Sequence, residues 1–541
     1  MASRKLRFDK VSVALGDPRC RAIVTAHEGT LVIGMRVCKV CLAWCPILGA
    51  APSLAADVLL QHLHVYDGTG RASFEADVRI KRERIVAVAP HLRPTGLESV
   101  VDEHGLALAP GFIDMHSHGD GGLLEDLDAG TITRQGVTTI LVGQDGESNY
   151  PLADYFGKLN ATPPAINVAS MVGQATLRAQ VMGQDLFRAS TPAELEHMKA
   201  VLAHELAAGA FGLSTGLEYE QAHFSTTEEV VELAKVAAAT GGFYISHVRD
   251  EANGVFDSYD ELLRIGREAH LPVEITHIKL GSVPVWHKAA ARMPAYFDQA
   301  RREHIDLRAD VYPYTYWHST IRVIVPDRDF FNPAKVANAL EVNGGAEAIR
   351  VTRYSPEPAM AGHTLAEIAA AWGISPVEAY MRIVRATIAE VTSDVKMEDI
   401  IGTSMSEDDV RWFIARPEIM FCSDGELHGA HPRGAGAFPR ILGHYVREEK
   451  VLPLELAINK MTGLPASKIG LRDRGRIAKG YVADLVLFDP AVVIDRATIE
   501  HPEAPPLGIP GVMVSGEWVV DDGRITGRHP GVVLRPVAVG R

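Results

Sequence analysis

The sequence predicts an α/β fold: a distorted (β/α)8 TIM barrel joined to a small β-sandwich domain built from both chain ends. Three observations predict it. From residue 111 to about 466, apolar strands alternate with capped helices, the pattern of a parallel sheet with helical crossovers. The stretches on either side share a texture of short alternating strands broken by Gly, Asp and Pro. At 541 residues the chain is too long for one ordinary core. A doubly wound sheet is the alternative, but its glycine-rich phosphate loop is missing.

Residues 1–56 read as an upstream extension followed by a signal peptide. Four of the five cysteines, Cys20, Cys38, Cys41 and Cys45, fall here, and only Cys422 lies in the body, which excludes a disulfide framework there. From Met35 to Ala55 or Ala56, "MRVCKVCLAWCPILGAAPSLAA" has a basic start, a short apolar middle and small residues at its end. The run is too short to span a membrane, and Pro46 interrupts it. The expectation is export to the periplasm or beyond, with no membrane attachment after removal; without the signal the protein is cytoplasmic. A Cys-x-x-Cys metal or redox site at Cys38 and Cys41 is the rival, weakened by the lack of a second pair.

Residues 57–110 supply the first part of the sandwich, in "ADVLLQHLHVYDGTG" and "ADVRIKRERIVAVAP". Residues 467–541 supply the second, where Ser515-Gly516 reads as a tight turn between two strands. Neither end has enough strands to bury a core alone. Between them, 111–466 forms the barrel. "STPAELEHMKAVLAHELAAGA" begins with Thr191 as N-cap, Pro192 at the first helical position and Glu194 closing a capping box. "STTEEVVELAKVAAATGG" reads likewise, from Ser225 and Glu228 to a stop at Gly241. The segment from about 315 to 380, containing Tyr316 and Trp317, is expected to form a lid over the pocket. A net charge of -14 argues against nucleic acid as a partner.

The functional signal lies where the apolar runs stop. "GFIDMHSH" ends in His116 and His118, two apart and therefore on one face of a strand. "YISH" ends in His247, "ITH" in His277 and "MFCSD" in Asp424. In a barrel these positions lie at the C-terminal mouth, where active sites of that architecture sit. A lone strand-end histidine is usually a satisfied hydrogen-bonding residue, and an Asp before Gly is commonly a turn. Five such residues in repeated context match the nitrogen and oxygen donors of Zn²⁺.

The chain resembles the amidohydrolase superfamily and, within it, the D-aminoacylase (N-acyl-D-amino-acid deacylase) family from residue 57 to 541. "PGFIDMHSH", "GVTTILVG", "GAFGLSTGLEY", "YISHVRDE", "DVYPY", "SDGELHGAHPRGAGAFPRILGHYVRE" and "KMTGLPASKIGLRDRGRIAKGYVADLVLFDP" carry the resemblance. It implies hydrolysis of an N-acyl bond on a D-amino acid, with zinc at the barrel mouth. By the same resemblance Asp424 is the catalytic proton carrier, and Lys279, Tyr312 and Arg433 meet the substrate carboxylate. Tyr314 is an alternative to Tyr312, and Tyr219 a further substrate contact.

Two departures stand out. Where the family carries a metal-bridging cysteine after the second strand, this chain reads "LVGQDGES", with Asp145. In "STGLEY", Glu218 stands where the family usually has an apolar residue. Either carboxylate could bridge two cations in place of a thiolate; Glu218 is slightly preferred, and if neither does, a single metal remains. The expected ligands are therefore His116, His118, His247, His277, Glu218, Asp145 and Asp424, holding one or two Zn²⁺, with Mn²⁺ or Co²⁺ admitted by the harder oxygens. The expected partner is a small N-acyl amino acid or small peptide. A dipeptidase, a cyclic-amide hydrolase and a metal-binding protein without turnover are the alternatives.

Overall fold

The computed structural model describes residues 57–103, 105–389 and 396–537, with the backbone of three strands nearer the N-terminus. Those strands, Val11–Ala14, Arg21–His27 and Thr30–Met35, form an antiparallel sheet within a separate unit, Met1–Leu54. The expected signal segment beyond Met35 and the Cys38/Cys41 pair lie outside the described residues. Among the described residues no helix is long and apolar enough to cross a membrane.

The second unit, Ala55–Arg541, is organised around eight parallel strands. They are β1 (Phe112–Asp114), β2 (Val137–Val142), β3 (Asn167–Ser170), β4 (Gly212–Gly216), β5 (Phe243–His247), β6 (Val273–Ile275), β7 (Leu307–Val311) and β8 (Ile419–Phe421). β1, β2 and β3 pair in sequence. Val172–Gly173, just past β3, pairs with β4, and the ladder continues through β5, β6 and β7 to β8. Ser117–His118, beyond β1, pairs in parallel with Gly425–Glu426, beyond β8. The pairings thus run round a ring made of three separate sheets, interrupted at Met171, between Asp114 and Ser117, and between Phe421 and Gly425. β2, β4 and β5 are buried along their whole length, as strands covered on both faces are.

The helices start where their caps dictate. Thr191 and Glu194 form the capping box of Pro192–Ala208. The next helix, Thr227–Ala239, begins one residue later than the sequence suggests. Its cap is Thr226, whose side chain accepts the N–H of Glu229, and the Glu229 carboxylate is engaged by Arg178. Within this unit, residues 58–110 and 485–525 meet in one nine-stranded sheet, where Leu485–Phe488 pairs antiparallel with Ala107–Pro110. Ser515 and Gly516, with φ of 48° and 81°, make the tight turn between Gly511–Val514 and Glu517–Asp521.

Between β7 and β8, Tyr316–Ser319, Ile349–Tyr354 and Glu398–Thr403 build an antiparallel sheet. This sheet packs with three helices, Pro333–Val342, Leu365–Trp372 and Pro376–Thr387, around an apolar cluster of their own. The insertion therefore reaches past residue 380, because Glu398–Thr403 is its central strand. Trp317 packs in that cluster and also lines the cavity beneath.

Candidate metal centre

His116 and His118 follow β1, Asp145 follows β2, Glu218 follows β4, His247 ends β5, His277 follows β6 and Asp424 follows β8. All seven stand at one end of the ring. The Nε2 atoms of His116 and His118 are 3.1 Å apart, and each is 3.3 Å from Oδ1 of Asp424. Nδ1 of His247 is 3.1 Å from Nε2 of His277. Between the two pairs stands Asp145. Its oxygens lie 3.3 Å from Nε2 of His277, 3.4 Å from Nε2 of His118, 3.6 Å from Nε2 of His116 and 4.0 Å from Nδ1 of His247.

The loop carrying Asp145 is shaped for that approach. Asp145 itself has φ of 54° and sits between Gly143 at 71° and Gly146 at 81°. At Gly216, which ends β4, a Cβ would come 2.1 Å from the Asp145 carbonyl oxygen, so only glycine lets that loop close down. His277 (φ 32°) and Asp424 (φ 50°) are also left-handed. Three non-glycine residues held so at one mouth mark it as a functional site.

This donor set fits divalent metal. Two groups, His116, His118, Asp145 and Asp424, and Asp145, His247 and His277, each bring their ligand atoms within 4.8 Å of one another, and they share Asp145. Oδ1 of Asp424 is buried and makes no hydrogen bond, a cost that a cation among these atoms would remove. Glu218 is placed differently from the bridging position preferred on sequence. Its carboxylate reaches one of the four imidazoles, with Oε2 2.9 Å from Nε2 of His247, on the far side of that ring from Asp145. The geometry favours Asp145 as the shared ligand.

The predicted substrate contacts divide. Arg433 lines the cavity, donates from Nη1 to Oδ2 of Asp424 at 2.5 Å, and stacks over the ring of Tyr312 at 4.9 Å. Burial works against ionisation of Asp424, but this guanidinium and the nearby imidazoles hold its carboxyl well below the usual range. Tyr312 is fully buried, with Lys279 5.7 Å above its ring. Lys279 also faces the cavity, but its ammonium is bound at 2.7 and 2.9 Å by Glu251 and lies 2.7 Å from Nδ1 of His277. Tyr219 lines the cavity with its hydroxyl 3.3 Å from Nδ1 of His247. Tyr314 does not fit a substrate role: its hydroxyl donates to Asp495 and its ring packs on Arg440 and His431, away from the cavity. Two residues beyond the sequence-based set belong here. Glu251 pairs with Lys279 and lies 3.2 Å from Nδ1 of His277, and its place four residues after His247 was the available signal. His431 accepts the N–H of Arg433 on Nδ1, so it fixes the start of the arginine's helix.

The cavity has a volume of about 1060 Å³. His118, Asp145, His247, His277 and Asp424 form its floor; Ser148, Thr176 and Gln221 line it from segments that follow barrel strands, and His318, Arg322 and Arg353 from the insertion. That volume lies at the upper end for pockets holding small organic ligands.

The model of the amidohydrolase family matches residues 99–520. The chain is 36% identical to the D-aminoacylase of Alcaligenes xylosoxydans xylosoxydans over 510 residues, covering 89% of this chain and 98% of the relative. To the N-acyl-D-glutamate deacylase of the same organism it is 36% identical over 503 residues, covering 88% and 96%. Among solved structures, a crystal structure of D-aminoacylase matches with a TM-score of 0.78 at 36% identity, over 89% of this chain and 100% of that one. The N-acyl-D-glutamate deacylase of Bordetella bronchiseptica, complexed with zinc and a phosphonate mimic of the tetrahedral intermediate, matches with a TM-score of 0.77 at 34% identity, covering 89% and 99%.

Proposed function

The chain belongs to the amidohydrolase family, and from that membership we propose that it hydrolyses the amide bond of N-acyl-D-amino acids, releasing a carboxylate and a D-amino acid. One observation carries the reading: four imidazoles converge with Asp145 and Asp424 on the floor of a cavity that also presents Arg433. Relatives covering nearly nine-tenths of the chain act on such substrates by name.

His116, His118, His247, His277, Asp145 and Asp424 would hold one or two zinc ions, Asp145 serving both positions. The chemistry zinc supplies there is Lewis acidity, which polarises a carbonyl and acidifies water. The rest is the work of side chains. Asp424 has Oδ2 on Arg433 and Oδ1 facing the histidines, so its carboxylate stands beside the site where water would be activated and can take that proton and deliver it to the departing nitrogen. Arg433 captures the substrate carboxylate, and an arriving carboxylate shares the guanidinium with Asp424 and relieves the depression of its proton affinity. Tyr312 supports Arg433 from below, and Glu251, held by Lys279, is placed to accept the Nδ1 proton of His277 and orient that ring. The insertion closes the cavity over the acyl group or side chain.

Residues 111–466 make up the catalytic barrel in this reading, with 57–110 and 467–541 the flanking β domain. The basic and apolar segment from Met35 to Ala55 or Ala56 supports export. The test is amine release from a panel of N-acetyl-D- and N-acetyl-L-amino acids by zinc-loaded protein. Release confined to D substrates is expected; no release from any member with zinc bound would refute the reading.

A further inference from the structure

We propose that Glu218 is a positioning residue for His247: it holds the Nε2 proton and so turns the Nδ1 lone pair toward Asp145 and His277. The inference rests on the metal centre assigned above. Each nitrogen of this buried ring has a defined neighbour. Nε2 is 2.9 Å from Oε2 of Glu218, whereas Nδ1 faces His277 at 3.1 Å and Asp145 at 4.0 Å. An ionised carboxylate only accepts hydrogen bonds, and a neutral imidazole has a single N–H. The N–H therefore lies on Nε2, and Nδ1 is left as the donor to a cation. A carboxylate behind a ligating imidazole also strengthens that donor and locks its orientation.

The backbone enforces the pairing. Gly216 is in register with His247 on the neighbouring strand, and the N–H of Leu217 donates to the His247 carbonyl at 3.0 Å. This last bond of the ladder sets Glu218, the next residue, beside the imidazole. Oε1 of Glu218 is held by the backbone N–H of Glu251 at 3.5 Å, and the side chain is buried. The other carboxylate near Nε2 is that of Glu251 at 3.5 Å, but Lys279 binds both of its oxygens more closely. Glu218 contacts no other imidazole of the four, so it suits orientation and not bridging. It also supplies a reason for the two departures to occur together: an imidazole strengthened by a carboxylate offsets the weaker zinc donor at Asp145.

The test measures zinc affinity, by competition with a chromogenic chelator, for wild type, Glu218→Gln and Glu218→Leu, with metal counted by mass spectrometry. The ¹⁵N spectrum of the zinc-loaded protein, assigned with His247→Asn, reports which nitrogen carries the proton. Removing an outer-shell partner of this kind weakens binding about 10–100-fold, which is expected for Glu218→Leu with the number of ions unchanged. Glu218→Gln, whose amide oxygen still accepts from Nε2–H, should lose less, and His247 should be protonated on Nε2 in the wild type. Unchanged affinity in Glu218→Leu overturns the proposal, as does loss of a whole ion in both variants, which would make Glu218 a ligand. Zinc bound to Nε2 overturns it even if the leucine variant does not fold. Failure of the wild type to bind zinc is a separate result, and it refutes the underlying metal centre.

Discussion

Replacing Asp145 with asparagine keeps the shape of the side chain and removes one negative charge from the middle of the cluster. The carboxylate lies within 3.3 to 4.0 Å of a nitrogen on each of the four histidines. At a contact distance of about 3.3 Å and an effective dielectric of about 20, a unit charge is worth roughly 5 kcal/mol, or between three and four decades in an equilibrium constant. Relief of the carboxylate's burial cost returns part of that, so a loss of about three decades in zinc affinity is expected, with at least one ion missing after gel filtration. Chelator competition and metal counting read both quantities. Asp145→Cys, which restores a thiolate, should recover zinc and discriminate more strongly against manganese. If Asp145→Asn binds zinc within tenfold of wild type with full occupancy, the shared ligand is another group and the argument from the convergence of the imidazoles fails.

Asp424→Asn should lower turnover by about 10²–10⁴-fold while zinc remains at the His247 and His277 position; a variant retaining half the rate would remove Asp424 from proton transfer. Arg433→Lys exchanges a planar fork for a point charge, and a lost charge-assisted hydrogen bond of about 2 kcal/mol corresponds to a fall of roughly 30-fold in kcat/KM, seen mainly in KM. Arg178, fully buried, binds both oxygens of Glu229 and the carbonyls of Leu186, Arg188 and Gln221. Arg178→Met should therefore destabilise by about 3–5 kcal/mol in denaturant titration, with partial recovery in the Arg178→Met, Glu229→Met double variant, and additive losses would refute the coupling. Burial pushes His318 down to about 4, with Glu426 opposing and Arg433 and Lys396 reinforcing the fall. The folded form thus takes up its proton only near pH 4, while the unfolded chain does so near 6.5, so stability drops on acidification through that window by up to about 1.4 kcal/mol per pH unit. His318→Gln should flatten that part of the stability profile, and an unchanged slope would count against a neutral His318.

The residue types of this site were legible because each closes an apolar run. Burial on both faces makes a barrel strand read as continuous hydrophobicity, so a histidine or aspartate at its end stands out, as His116, His118, His247, His277 and Asp424 do. Asp145 and Glu218 were visible as departures, but their roles were not. Spacing along the chain says which strand a carboxylate follows; it does not say which side of an imidazole that carboxylate meets. Left-handed backbone at Asp145 and the bare α-carbon of Gly216 bring one into the cluster, and the ladder from β4 to β5 sets the other behind His247. Tyr314 differs from Tyr312 for the same reason: it lies two residues on, in a segment that turns after β7 and sends its hydroxyl to Asp495.

By itself the sequence determined the alternation of strands and helices, the positions of the caps to within a residue, and the inventory of donors at the strand ends, because these follow from local periodicity and side-chain chemistry. The tertiary structure decided which donors share a cation site, that Arg433 is paired with Asp424 and Lys279 with Glu251, and that the ring closes between Ser117–His118 and Gly425–Glu426. Those pairings join residues up to some three hundred positions apart, and such distances are fixed by packing across the fold, which no local pattern encodes.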